Sequence, residues 1–272
     1  MSIFSNISFG QYVPTNSFVH RLDPRGKIFA LFLLMVGVFL TMRIEFFILW
    51  GGLLVALIVL SKLSVKFVWR GLKPVVFLVV FAFVLNIFLT PGRVLWQWHF
   101  LKITEEGLNM GTVITLRIFF LVAFASLLTL TTSPTELTSG IEYLLSFVPY
   151  VRSSAQDIAM MMSIAIRFIP TLAQETDKII KAQMARGVDF ESGNIVRRMR
   201  NYIPVLVPLF VGAFRRADEL AIAMESRCYG STSRRSKMNE LRFCFADFVF
   251  TVCIALYTIG VIVLSRSSVK VF

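Results

Sequence analysis

Hydrolysis, proton transfer and metal binding need paired carboxylates, neighbouring histidines or cysteines at ligand spacing, all within hydrogen-bond reach of one another. This sequence offers almost none of them. Its two histidines, His20 and His99, lie far apart in sequence, and each reads as an interfacial or capping residue. Its three cysteines, Cys228, Cys244 and Cys253, form no Cys-x-x-Cys pair and read as reduced, packed thiols rather than ligands. No Gly-x-x-x-x-Gly-Lys-Ser/Thr loop is present to cradle a nucleotide; the only Gly-Lys, Gly26-Lys27, is followed by Ile28. If nucleotide drives this protein, another chain must bind it.

Two arginines stand out instead. Arg186 and Arg227 each end a long helical pattern, each with an acid nine residues back (Asp177, Asp218), an alanine four back (Ala182, Ala223) and a small residue just before (Ala185, Ser226). A last-turn arginine also opposes the helix dipole, worth about 0.3–1 kcal/mol, and many helices end that way. Its recurrence on two similarly built helices, beside small residues that leave the guanidinium unshielded, favours a docking role in which the rigid fork pairs with a partner's carboxylate or carbonyls.

The elements that must hold these arginines follow from composition. The chain has 272 residues, 56% of them apolar and 16% charged, with a mean hydropathy of +0.74. That is too little polar surface for a water-soluble globule of this size, so the lipid bilayer is the expected solvent. The net charge of +12 is placed between long apolar runs rather than along an aromatic-studded polar face, which argues against nucleic acid. Five spans are expected, at about 27–41, 46–60, 74–90, 111–130 and 245–264. The first begins at Asp23-Pro24, an N-cap carboxylate followed by a first-turn proline. No small-x-small site follows it, so it is expected to be a mature helix rather than a signal peptide. With the N-terminus inside, the inner segments hold 22 Lys and Arg and the outer segments 5, so the N-terminus is expected in the cytoplasm.

The spacing therefore divides the chain into an N-terminal segment with four spans (1–130), cytoplasmic helices (131–244) and a last span (245–272), an all-α polytopic fold. Ser133-Pro134-Thr135-Glu136 is a capping box opening one cytoplasmic helix, and Ser153 with Gln156 is expected to open a second that stops at Gly187. Pro170 is expected to kink this helix. A third, with Pro204 and Pro208, runs to Arg227 and has Gly230 as its expected stop. Arg117, about six residues inside the fourth expected span, is expected to snorkel outward, a polar contact being the other option. Met160, Met161 and Met162 read as core filler ahead of an adaptable binding surface.

Several segments together resemble the transmembrane T component of energy-coupling factor transporters. They are Gly10-Gln11-Tyr12-Val13-Pro14 with His20-Arg21-Leu22-Asp23-Pro24-Arg25, Thr131-Thr132-Ser133-Pro134, Arg167-Phe168-Ile169-Pro170, and Phe214-Arg215-Arg216-Ala217-Asp218-Glu219. The resemblance implies a non-catalytic scaffold in a prokaryotic cell membrane, with two ABC-type ATPases that bind the ATP and magnesium and a small membrane-embedded S component that binds a vitamin or other micronutrient. It implies no cofactor or metal on this chain. The family's paired Ala-Arg-Gly motifs, which enter ATPase grooves, fall on Ala185-Arg186-Gly187 and on Ser226-Arg227-Cys228. The second departs at both flanks, and because Cys228 lacks glycine's freedom at positive φ the helix stop is expected to move to Gly230. A conventional ABC importer permease is the alternative, but its Glu-Ala-Ala loop is not found; a membrane-embedded enzyme is a third reading.

Overall fold

The computed structural model describes residues 13, 15, 17–98, 101–146, 152–190, 192, 194–231 and 244–267. His99 and most of the Gly10 to Pro14 segment lie outside these residues. The described chain forms two compact units, one from residues 10–156 with 241–272 and one centred on 157–240.

In the first unit the elements are α1 (Phe18–Arg21), α2 (Pro24–Leu40), a 3₁₀ turn (Ile44–Phe46), α3 (Phe47–Ser61), α4 (Val65–Leu89), α5 (Glu105–Thr131), α6 (Pro134–Ser146) and α9 (Phe245–Ser267). The fold is helical throughout except for a small antiparallel hairpin between α4 and α5, β1 (Val94–Trp98) with β2 (Leu101–Thr104), pairing Gln97 with Lys102 and Trp98 with Leu101. The start of α2 is as the sequence specifies: Asp23 Oδ1 accepts from the Arg25 N–H at 2.9 Å, with Pro24 in the first turn. The α6 capping box also forms, the Ser133 N–H donating to Glu136 at 3.0 Å and the Glu136 N–H to Ser133 Oγ at 3.3 Å.

Four stretches are long and apolar enough to cross a bilayer, Ile44–Ser61, Lys66–Leu89, Glu105–Thr131 and Phe245–Ser267. The 17-residue α2 is shorter, about 25 Å at 1.5 Å per residue. Hydrogen bonds fix where its first turn sits. Thr15 Oγ1 donates to Ser61 O at the end of α3, Lys27 Nζ to Thr131 O at the end of α5, and the Asp23 N–H to Asp247 Oδ1 in the first turn of α9. The starts of α2 and α9 and the ends of α3 and α5 thus share one pole.

Helices meet where side chains are small. A Cβ on Gly37 would stand 2.5 Å from Thr258 and 2.6 Å from Trp50, so α2, α3 and α9 converge on bare backbone. Trp50 is fully buried there, donating through Nε1 to Thr41 Oγ1 at 3.1 Å and meeting Phe124 and Tyr257 edge to face. Gly107 and Gly111 of α5 lie against Ile87 and Asn86 of α4.

Two helices of this unit begin earlier than their sequence patterns suggest. α4 starts at Val65, so Lys66, Arg70 and Lys73 ride its first turns and Pro74 falls inside it. α5 starts at Glu105, which moves Arg117 to mid-helix. There the arginine does not snorkel: Nη2 donates to the Thr41 carbonyl at 3.0 Å, at the end of α2, and the guanidinium lies 5.0 Å from the Phe39 ring. The open carbonyls at the end of α2 are the acceptors within its reach.

The second unit is built from α7 (Arg152–Ala185) and α8 (Ile195–Ser226). α7 begins one residue before Ser153, which falls in its first turn. Both helices run unbroken through their prolines, Pro170 in α7 and Pro204 and Pro208 in α8. At 34 and 32 residues they are roughly 50 Å rods. An ion pair joins them, Arg216 Nη2 to Glu175 Oε2 at 2.6 Å, opposite the bare Gly212. Gln183 Nε2 donates to Pro204 O at 3.5 Å, so advancing along α7 means retreating along α8. The pair is antiparallel. Within this unit Met160, Met161 and Met162 are exposed, contrary to the core reading.

Candidate docking tips

Each tip is a helix end whose last carbonyls are closed by the backbone just beyond it. At the end of α7 the Gly187 N–H donates to Met184 O and the Val188 N–H to Gln183 O, both at 3.0 Å, with Gly187 at φ +87°. This is the paired 5→2 and 6→1 closure that a left-handed residue makes possible. The end of α8 repeats it. The Cys228 N–H donates to Glu225 O at 2.9 Å and the Tyr229 N–H to Met224 O at 3.0 Å, with Cys228 itself at φ +58°.

The expected shift of the second stop to Gly230 therefore does not occur. Gly230 does take φ +91°, but two residues beyond the closure. Cys228 adopts the left-handed conformation despite a steric cost of about 1 kcal/mol. The two hydrogen bonds it permits satisfy carbonyls that would otherwise be left open.

Both arginines consequently sit in one local frame, immediately before the left-handed residue. Arg186 and Arg227 are exposed, as are Ala185, Gly187, Ser226 and Cys228. Neither guanidinium has a hydrogen bond or ion pair to the described residues. The dipole explanation needs no partner, but it does not require two arginines at the same position of the same turn.

The bracing of the tips differs. Beyond Gly187 the chain folds back on the start of α8: Arg198 Nε donates to Phe190 O at 3.2 Å and Asn201 Nδ2 to Asp189 O at 2.6 Å. The Phe190 and Tyr202 rings meet at 5.1 Å over a small core with Ile180 and Val205. Beyond Cys228, Ser231 closes one further turn on the Cys228 carbonyl. Because α7 and α8 are antiparallel, Arg186 lies near the start of α8 and Arg227 at its end. By the pairing of Gln183 with Pro204, Arg186 stands beside about residue 201, so roughly 26 residues of α8, about 40 Å, separate the two.

α8 also carries an exposed apolar stripe, Met199, Ile203, Leu206, Phe210 and Phe214, at helical spacing. The three cysteines are free, and all are exposed rather than packed. Among the described residues no group of His, Cys, Asp and Glu could hold a metal ion.

Sequence reasoning underrated the shared pole of the first unit. Asp247, 4% exposed, accepts from the Asp23 N–H at 2.8 Å and the Cys244 N–H at 2.7 Å, tying the starts of α2 and α9 together. Lys27, 5% exposed, donates to His20 O and Thr131 O. Both residue types at these depths are a signal, since a charge beside a span stays only where it has partners. His20 shares short polar contacts with Ser17 Oγ at 2.6 Å and Val13 O at 3.0 Å, a capping role. Burial holds its imidazole below the usual histidine range, reinforced by the Lys27 charge and opposed by the Val13 carbonyl.

These features define a multi-pass helical membrane protein carrying a pair of long arginine-tipped helices. The cobalt transport protein family, CbiQ, matches residues 15–238. The chain is 51% identical over 251 residues to the energy-coupling factor transporter transmembrane protein EcfT of Ruminiclostridium cellulolyticum, covering 90% of this chain and 92% of the relative. It is 47% identical over 267 residues to the protein of that name from Thermanaerovibrio acidaminovorans, covering 98% and 99%, and 45% identical over 240 residues to that of Bacillus subtilis, covering 88% and 91%. The chain belongs to the family of energy-coupling factor transporter transmembrane proteins. It is a transmembrane component of a transporter rather than an enzyme.

Proposed function

We propose that this chain is the coupling scaffold of an ATP-driven importer of vitamins or other micronutrients, with its N-terminus in the cytoplasm. Arg186 and Arg227 each enter a groove on one of two ABC-type ATPases, which bind the ATP and magnesium. The exposed stripe of α8 meets a small membrane-embedded subunit that binds the cargo. The observation that carries this reading is the matching closure of two helix ends, which sets two guanidinium groups without a partner among the described residues in one local geometry, about 40 Å apart. Two copies of one ATPase would need such a repeated feature. Rods tied by the Arg216–Glu175 pair can pass a movement of their tips along to the apolar stripe.

Reversing the charge tests it. Arg186→Glu and Arg227→Glu are each expected to weaken co-purification of the ATPases, and the double variant to abolish it together with uptake. Undiminished capture of both ATPases by the double variant would refute the docking role.

A further inference from the structure

The shared pole of the first unit holds a pocket that the coupling role leaves unused. Arg25 and Phe29 of α2, Tyr143 and Leu144 of α6 and Thr251 of α9 enclose an open space of about 330 Å³. Its walls differ in chemistry from one end to the other. At the mouth the Arg25 guanidinium lies 3.8 Å from the centroid of the Tyr143 ring, within cation–π range. Phe29 and Leu144, 50% and 41% exposed, turn apolar surface into the same space.

Depth follows the same gradient. Arg25 is in the first turn of a membrane helix, at the edge of the hydrocarbon, whereas Thr251 is six residues into α9, about 9 Å along its axis. An occupant therefore needs an anionic part at the membrane boundary continuous with an apolar part beneath it. A free phosphate would use only the mouth.

The guanidinium is available to such a ligand. Arg25 Nε is buried with no hydrogen-bond partner. The nearest carboxylate, Asp23, stands 3.9 Å away and is already accepting from the Arg25 backbone N–H. Two other carboxylates of this pole are taken up by backbone N–H groups, Asp247 by those of Asp23 and Cys244 and Glu136 by that of Ser133. We propose that this pocket holds an anionic phospholipid, its phosphate on the Arg25 guanidinium and an acyl chain along Phe29 and Leu144. Arginine's fork suits phosphate, and the Tyr143 ring beneath it fixes the plane of the fork. The lipid would fill the seam between α6 and the starts of α2 and α9. The site rests on the chain spanning the membrane, and it stands whether or not the arginine tips dock as proposed.

The test uses the full transporter complex in nanodiscs of equal phosphatidylcholine and phosphatidylglycerol, extracted gently and weighed by native mass spectrometry. The wild type is expected to retain phosphatidylglycerol with about tenfold preference, the size of one charge-assisted contact. Arg25→Gln should erase the preference. Leu144→Trp, which fills the space and spares the arginine, should lower retention of both lipids. Arg70→Gln, exposed on α4, should change nothing. Equal retention of the two lipids by the wild type, or retention unchanged by both Arg25→Gln and Leu144→Trp, would overturn the proposal. So would a photo-crosslinker at Leu144 that captures a protein subunit in place of lipid.

Discussion

The two tips share one backbone closure but use different residues to make it, and exchanging those residues measures what the closure is worth. Gly187 stands at φ +87° with nothing within 4 Å of its missing Cβ, so an alanine there meets no neighbour and suffers only from its own backbone. The left-handed conformation costs a residue bearing Cβ about 1–2 kcal/mol. Gly187→Ala should therefore raise local opening of the α7 end roughly five- to thirtyfold, taking RT as about 0.59 kcal/mol. Cys228→Gly works the other way. It removes the cost carried at φ +58° while adding some of glycine's unfolded-state freedom, for a net gain of about 1 kcal/mol or less. Opening at the α8 end should slow by up to about fivefold. Hydrogen–deuterium exchange resolves both effects in the intact chain, because the protected amides are known: Gly187 and Val188 at one tip, Cys228 and Tyr229 at the other. Exchange that is unchanged in both variants, or faster in Cys228→Gly, would show that left-handed residues do not hold these ends. The equivalence of the tips would then fail. If the closure also presents the arginines, Gly187→Ala should weaken ATPase capture less than Arg186→Glu does.

Three further outcomes follow from the membrane unit. Gly37→Val should cost about 1–3 kcal/mol through overpacking against Thr258 and Trp50, read as a lower melting temperature in detergent, while Gly52→Ala, with open space around it, should not. Asp247→Ala leaves the buried Asp23 N–H and the partly buried Cys244 N–H without their acceptor, a loss of about 1–3 kcal/mol that loosens the starts of α2 and α9 together; Asp247→Asn should recover part of it. Because His20 is held below the usual histidine range by burial, the folded protein favours the neutral ring and the unfolded chain takes up the proton first. Its contribution is complete above about pH 6.5 and is lost as the pH falls below that value, so acidification from pH 7 to 5 should lower the melting temperature less in His20→Gln than in the wild type.

How much was legible in the sequence differs from feature to feature. The Asp23-Pro24 start and the Ser133 capping box depend on residues within four positions of one another, and both form as expected. Helix starts inside polar stretches were less visible, because charged residues such as Lys66 and Glu105 are good helix formers and hydropathy marks only where the membrane begins. The β1–β2 hairpin could have been noticed in Val94-Leu95-Trp96-Gln97-Trp98, a run of strand formers between a Pro-Gly turn and the next helix. Cys228 could not. Its residue type argues against φ +58°, and only the two hydrogen bonds it closes offset the cost.

The sequence by itself determined the solvent, the helices, their capped beginnings and the two arginines in matching register, because each depends on composition or on neighbours a turn or two away. Tertiary structure decided the partners of buried charge. Arg117 found the end of α2, Lys27 the end of α5, and Asp247 the start of α2, across separations that periodicity does not encode. A charge held out of water takes whatever acceptor or donor the packed helices bring within about 3 Å, and that choice exists only once the helices have met.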